Sequence, residues 1–262
     1  MSSSLTASVS NKPAERAFEL DFLRGLSIVM MMLHHVIFDI RYIFGIDAFA
    51  WQESSFFQSI LRPPFVFTFL FVSGVCCTFS RSNYKRSARL GGVALLFSVV
   101  FFVVSRVSDT EMYIVSNVIL VLAAGTLIYA ILGSAEKRSS SFKMEIWLIA
   151  AILVVVLADF ILVRTDPITA PWLTLFHRNF EAGFGMADHM PLIPWLWMFF
   201  AGALTGRLFY SSHKSFFPGT RKSILKALSP FIFIGRNSML FYLLHQPVIL
   251  LMLYLIRLAG LI

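Results

Sequence analysis

The sequence predicts an all-α fold, a polytopic membrane bundle of about seven transmembrane helices with its N-terminus cytoplasmic and its C-terminus outside. Three observations carry that prediction. Apolar residues make up 58% of the 262 positions and charged residues 14%, well under the roughly one quarter charged that soluble domains carry. The apolar residues lie in long unbroken runs and do not alternate with polar ones, which favours helices over a β-barrel. Basic residues are shared unequally between alternate connections, as the positive-inside rule requires.

Residues 1–17 read as a polar, Ser-rich cytoplasmic tail without the apolar core of a signal peptide, and residues 18–262 as one transmembrane domain with no internal repeat. The expected spans are Phe18–Ile40, Phe56–Phe79, Leu90–Ser105, Met112–Leu132, Ile146–Val163, Pro191–Tyr210 and Gly235–Ile256. Gly133–Glu145 and His213–Lys226, the latter with Pro218 and Gly219, read as polar loops. Leu90–Ser105 is the shortest span and crosses with local thinning of the bilayer. This alternation places sixteen of the 22 Lys and Arg on the side of the N-terminus and six on the other. The net charge of +8 therefore belongs to cytoplasmic loops and does not point to nucleic acid. A multi-pass protein of the plasma (inner) membrane follows. Cys76 and Cys77 are adjacent, so they form neither an unstrained disulfide nor a structural zinc site, and no metal is expected.

Charged and polar groups inside spans are costly and mark function. The first span holds most of them. At about 100° per residue, Asp21, Arg24, Gly25, Met32, His35 and Asp39 share one face, while His34 points away from it. His35 and Asp39 stand one turn apart, a spacing that lets the carboxylate orient the imidazole. A histidine that only bridges helices is the plain alternative; the acid and the arginine on its face favour chemistry. The last span carries a second polar stripe: Gly235-Arg236-Asn237-Ser238, then Tyr242, His245 and Gln246-Pro247 at helical spacing. Asp188-His189 opens the sixth span at the outer interface, where Trp195 anchors it. Gly202 with Gly206, and Ser73-Gly74, read as points of close helix packing.

These segments resemble, in order, the motifs of bacterial proteins related to the catalytic domain of heparan-α-glucosaminide N-acetyltransferase, part of a wider superfamily of transmembrane acyltransferases. The likeness rests on Asp21, Arg24-Gly25, His35 and Asp39, on Phe69-Leu-Phe71-Val-Ser73-Gly74, on Asp188-His-Met-Pro191-Leu192-Ile-Pro194-Trp195, and on Gly235-Arg236-Asn237-Ser238 with Tyr242, His245, Gln246 and Pro247. One departure stands in the fourth span, where many relatives carry a Gly-Ile-Leu-His-like stretch and this chain reads Ser116-Asn117-Val118-Ile119-Leu120.

The resemblance implies transfer of an acetyl or other short acyl group from cytoplasmic acyl-CoA to a hydroxyl or amine of a glycan or small-molecule acceptor. In that reading His35 is the general base, or a nucleophile that carries the acyl group, and Asp39 orients it. Arg24, Arg236, Asn237 and Ser238 would bind acetyl-CoA, with Arg81, Lys85 and Arg86 as further phosphate ligands. Asp188, His189, Tyr242 and His245 would meet the acceptor. Eleven helical residues separate Arg24 from His35, about 16 Å, comparable to the pantetheine arm. The bilayer is the expected partner, with a homodimer also allowed. A small-solute or proton-linked transporter, and a non-catalytic membrane subunit of the same fold, remain open alternatives.

Overall fold

The computed structural model describes residues 17–108, 116–167, 171–177, 189–211 and 214–261. The N-terminal tail through Arg16 lies outside these residues. Regular structure among the described residues is helical throughout, with no strand. Helix α1 (Phe18–Phe38) widens into a π turn, Asp39–Ile43, and a second π turn, Phe57–Leu61, feeds α2 (Arg62–Val75). There follow α3 (Asn83–Ser108), α4 (Val118–Arg138), α5 (Met144–Leu162), α6 (Leu192–Phe209), α7 (Lys222–Arg236) and α8 (Ser238–Leu258). Seven of these segments, all but α7, are long and apolar enough to cross a membrane.

Helix α7 departs from the sequence reading, which placed a loop through Lys226 and began the last span at Gly235. Its fifteen residues extend only about 22 Å, short of the roughly 30 Å hydrocarbon core. Lys222, Lys226 and an internal Pro230 further weaken the span signal. It is an amphipathic helix that packs on α1 and ends at Asn237, whose φ of −107° and ψ of 26° break the helix before α8. Helix α3 also begins earlier than expected. It starts at Asn83, so Lys85, Arg86 and Arg89 stand on helix and not in a loop.

Helix α6 is the hub, in contact with α2, α4 and α5, and its Phe199 and Phe200 are fully buried. Glycines set the closest approaches. A Cβ on Gly74 would lie 2.0 Å from the Phe199 carbonyl oxygen, and one on Gly202 1.9 Å from that of Phe71. Without side chains at these positions α2 and α6 touch backbone to backbone, as the small residues predict. Gly25 and Gly235 do the same for α1 and α7, against the carbonyls of Phe231 and Asp21. The outward surfaces are apolar. Leu153, Val154, Leu157 and Phe160 of α5 and Leu251, Met252 and Leu255 of α8 are all exposed, the arrangement expected where lipid replaces water as solvent.

Asn117 caps α4 by accepting from the Leu120 amide at 3.0 Å, the role that suits an Asn before a helix. Ser116 donates its hydroxyl to the Met190 carbonyl, and the Met190 amide returns a bond to Ser116 at 3.2 Å. The fourth-span departure from the family pattern thus serves to fasten the start of α4 to the approach of α6.

Candidate functional site

Two cavities meet inside the bundle. One, of about 520 Å³, is lined by Arg24, Arg81, Lys85, Arg86 and Arg89, with Ser73, Ser80, Ser82 and Ser238 among its polar walls. The other, of about 310 Å³, is lined mainly by apolar side chains and contains His34, His35 and Arg62. Phe69, Val118 and Tyr242 line both, so the cavities adjoin at these three residues, called the neck below.

Among the described residues, the basic cavity is lined by five cations and no carboxylate. Arg86 donates to the Ser73 carbonyl at 3.4 Å. Arg24 stands deepest in chemical terms, because its Nη2 is buried without a hydrogen-bond partner. A buried guanidinium nitrogen left unpaired costs free energy unless an acceptor meets it. Clustered Arg and Lys of this kind fit phosphate oxygens, which take the planar guanidinium fork through two bonds at once.

Around the neck the histidines are held in defined tautomers. His35 Nδ1 lies 2.9 Å from the Met31 carbonyl. A carbonyl can only accept, so Nδ1 carries the proton and Nε2 keeps its lone pair. His245 is held likewise, its Nδ1 donating to the Tyr242 carbonyl at 2.6 Å while Nε2 is buried without a partner. The His35 and His245 rings meet edge to face, 4.9 Å between centroids. His34 is the opposite case. The Gln52 amide nitrogen donates to the His34 carbonyl at 3.2 Å and also approaches His34 Nδ1. Since that nitrogen donates, Nδ1 accepts, and the His34 proton sits on Nε2.

The structure therefore brings together Arg24, His35, Ser238, Tyr242 and His245 of the expected site residues. Others stand elsewhere. Arg236 is directed at Asp21, its Nε 3.2 Å from Oδ2, and Asn237 donates to the Phe233 carbonyl at 2.9 Å; neither lines the basic cavity. Asp39 is fully buried, yet its carboxylate accepts from Gln246 at 2.9 and 3.0 Å and not from His35. The reason is local: the imidazole Nδ1 is already taken by its own helix, and Gln246 of α8 reaches both carboxylate oxygens. His189 donates to the Thr174 carbonyl at 2.8 Å, beside the cavity-lining Met190. Asp188 lies outside the described residues.

Periodicity on α1 alone set His34 apart from the active face. The segment between α1 and α2 brings it back. Trp51, Gln52 and Phe57 fold over it, with the His34 and Phe57 rings stacked at 5.7 Å. That segment is tied to the end of α1 by Arg41, which donates to Glu53 and Asp47 at 2.7 Å each. Hydrogen bonds from Arg41 and Tyr42 hold the Glu53 carboxyl below its ordinary value. Gln52, Arg62 and Gln246 are functional candidates that sequence spacing did not reveal. Of the three, Gln246 alone belongs to a family-like motif.

The family model described as heparan-alpha-glucosaminide N-acetyltransferase, catalytic, matches residues 16–247. Comparison with curated proteins and with solved structures gave no match.

Proposed function

Because the chain belongs to the family of heparan-alpha-glucosaminide N-acetyltransferase catalytic domains, we propose that it is a membrane acyltransferase drawing an acetyl or other short acyl group from acyl-CoA at its basic end. The acceptor is a hydroxyl or amine that enters the apolar chamber from the other end. One observation supports this above the rest: a cavity lined by five cations and, among the described residues, by no carboxylate adjoins, across three shared residues, the chamber that holds His35 with a free Nε2. The positive-inside rule turns the basic end toward the cytoplasm, where acyl-CoA is found.

Acyl-CoA, when bound, supplies an activated thioester carbonyl. Arg24, Arg81, Lys85, Arg86 and Arg89 would hold its phosphates, with Ser238 beside them. His35 Nε2 is the base that takes the acceptor proton as the acceptor's oxygen or nitrogen bonds to the acyl carbon. The same nitrogen then returns the proton to the departing thiolate, so the histidine is regenerated. A route in which Nε2 itself carries the acyl group uses the same lone pair. His245 backs the His35 ring, and the His34 Nε2–H is a donor for charge growing on the carbonyl oxygen. Asp39 acts at a distance, fixing α1 to α8 through Gln246.

Calorimetric titration of acetyl-CoA into the detergent-solubilised protein tests the reading. Saturable binding is expected, weakened at least tenfold in Arg24→Ala, because a charge-assisted contact contributes about 1.5–3 kcal/mol. A protein that takes up no acetyl-CoA would contradict the transfer reading and return the bundle to the transporter or non-catalytic subunit alternatives.

A further inference from the structure

Resting on the acyltransferase reading, we propose that the acceptor is an anionic amphiphile held by Arg62: a hydroxyl- or amine-bearing headgroup with an acid group, carried on an apolar tail and admitted from the bilayer between α1 and α2. The chamber's lining sets the class. Ile28, Met30, Met31, Phe65, Val66 and Phe69 leave few polar groups for a ligand. Ser27 is one of them, and its hydroxyl is already spent on the Leu23 carbonyl at 2.9 Å. A free sugar placed here would leave hydroxyls without partners, at a desolvation cost that it has no apolar tail to offset. An alkyl tail meets the same walls with gain.

The opening points the same way. Leu33 and Trp51 both line the chamber and are each 51% exposed. Phe38, Phe56 and Ile60, also exposed, extend the apolar surface beside them. Leu33 and Phe38 stand on the first span and Ile60 on the second, where such a surface faces lipid, so a tail can lie along it while the headgroup enters.

Arg62 supplies the charge. It lines the chamber, no acidic side chain among the described residues lines it, and its guanidinium donates to the neutral Gln58 at 3.3 Å. Among the described residues it has no carboxylate within ion-pair distance. Its neighbour in the connection, Arg41, has two, Asp47 and Glu53. The acids of this segment neutralise Arg41 and leave the chamber's cation to be met by a ligand anion, through the paired hydrogen bonds that a guanidinium makes to an acid group.

The full chain in phospholipid nanodiscs is titrated with octyl glucuronide, octyl glucoside and free glucuronate, the two octyl glycosides at matched mole fraction in the bilayer. Octyl glucuronide should bind at least tenfold more tightly than octyl glucoside. Free glucuronate should show no saturation over the range in which octyl glucuronide saturates. Arg62→Gln should erase the preference and Arg62→Lys, which keeps the charge, should retain it, with acetyl-CoA affinity unchanged in both. Equal binding of the two octyl glycosides overturns the proposal. So does tight binding of glucuronate, or a preference that survives Arg62→Gln. Acetyl-CoA titration of the same preparations separates the two readings: the preference without donor binding overturns the transfer reading, and donor binding without the preference overturns this one.

Discussion

The two cavities differ in almost every respect that a ligand can feel. The basic one is lined by five cations and four serines; the other is apolar, with a pair of histidines and one arginine. A polyanion is stabilised in the first and strongly disfavoured in the second, beyond the neck. The contrast teaches how a helical bundle can accept a water-soluble donor from one end and a different kind of molecule from the other. Only the residues at the neck belong to both.

Closing the neck should separate the two chambers with the largest effect. Val118→Trp places an indole where a valine now lines both cavities. Transfer should fall at least a hundredfold, while acetyl-CoA still binds within a few-fold of wild type, since productive geometry rather than affinity is lost. Turnover near wild type in a folded Val118→Trp protein would show that the neck is not the route.

A smaller effect distinguishes two arginines of the family motifs. Arg24→Ala removes from the basic cavity a guanidinium whose Nη2 is buried and should weaken acetyl-CoA binding by about tenfold to a hundredfold. Arg236 is half exposed and faces Asp21, so Arg236→Ala should lower thermal stability modestly and leave donor affinity nearly intact. Binding isotherms and melting curves on the two variants decide it, and the reverse pattern would move the phosphate site to α7.

The smallest effect concerns the segment over the apolar chamber. Glu53 is held below its ordinary carboxyl range by Arg41 and then Tyr42. Its contribution is thus fully present above the ordinary glutamate range and is lost as pH falls through the depressed value. Hydrogen exchange at residues 44–61 should quicken on acidification below that range, and Glu53→Gln should bring the quickening to neutral pH. Exchange around Arg81–Arg89 should not follow. Protection at 44–61 that is indifferent to pH and to Glu53→Gln would show that other contacts hold the segment.

Much of this arrangement was legible in the sequence. Apolar runs gave seven spans because the bilayer imposes length and composition on any helix that crosses it. The face shared by Arg24 and His35 could be read because both stand on one helix, where 100° per residue fixes direction. What escaped depends on two helices at once. Asp39 sits one turn from His35, yet its partner, Gln246, is 207 residues away. Asp21 and Arg236 each stood in a motif, and only the fold turns one toward the other. Helix α7 was missed because an amphipathic helix with two lysines and a proline looks like a loop to any test for membrane length. His34 escapes a reading by periodicity because that fixes its direction on α1 and says nothing of the segment that folds over it.

The proposed chemistry turns on His35 and its free Nε2 in the apolar chamber. The most direct measurement is acyl transfer per folded molecule from labelled acetyl-CoA in membranes, for His35→Ala against His34→Ala, alongside donor affinity. His35→Ala should abolish transfer and leave acetyl-CoA binding within a few-fold, because a base acts chiefly in the transition state. His34→Ala should retain partial activity. Normal turnover in the His35→Ala protein, or greater sensitivity at His34, would contradict the assignment.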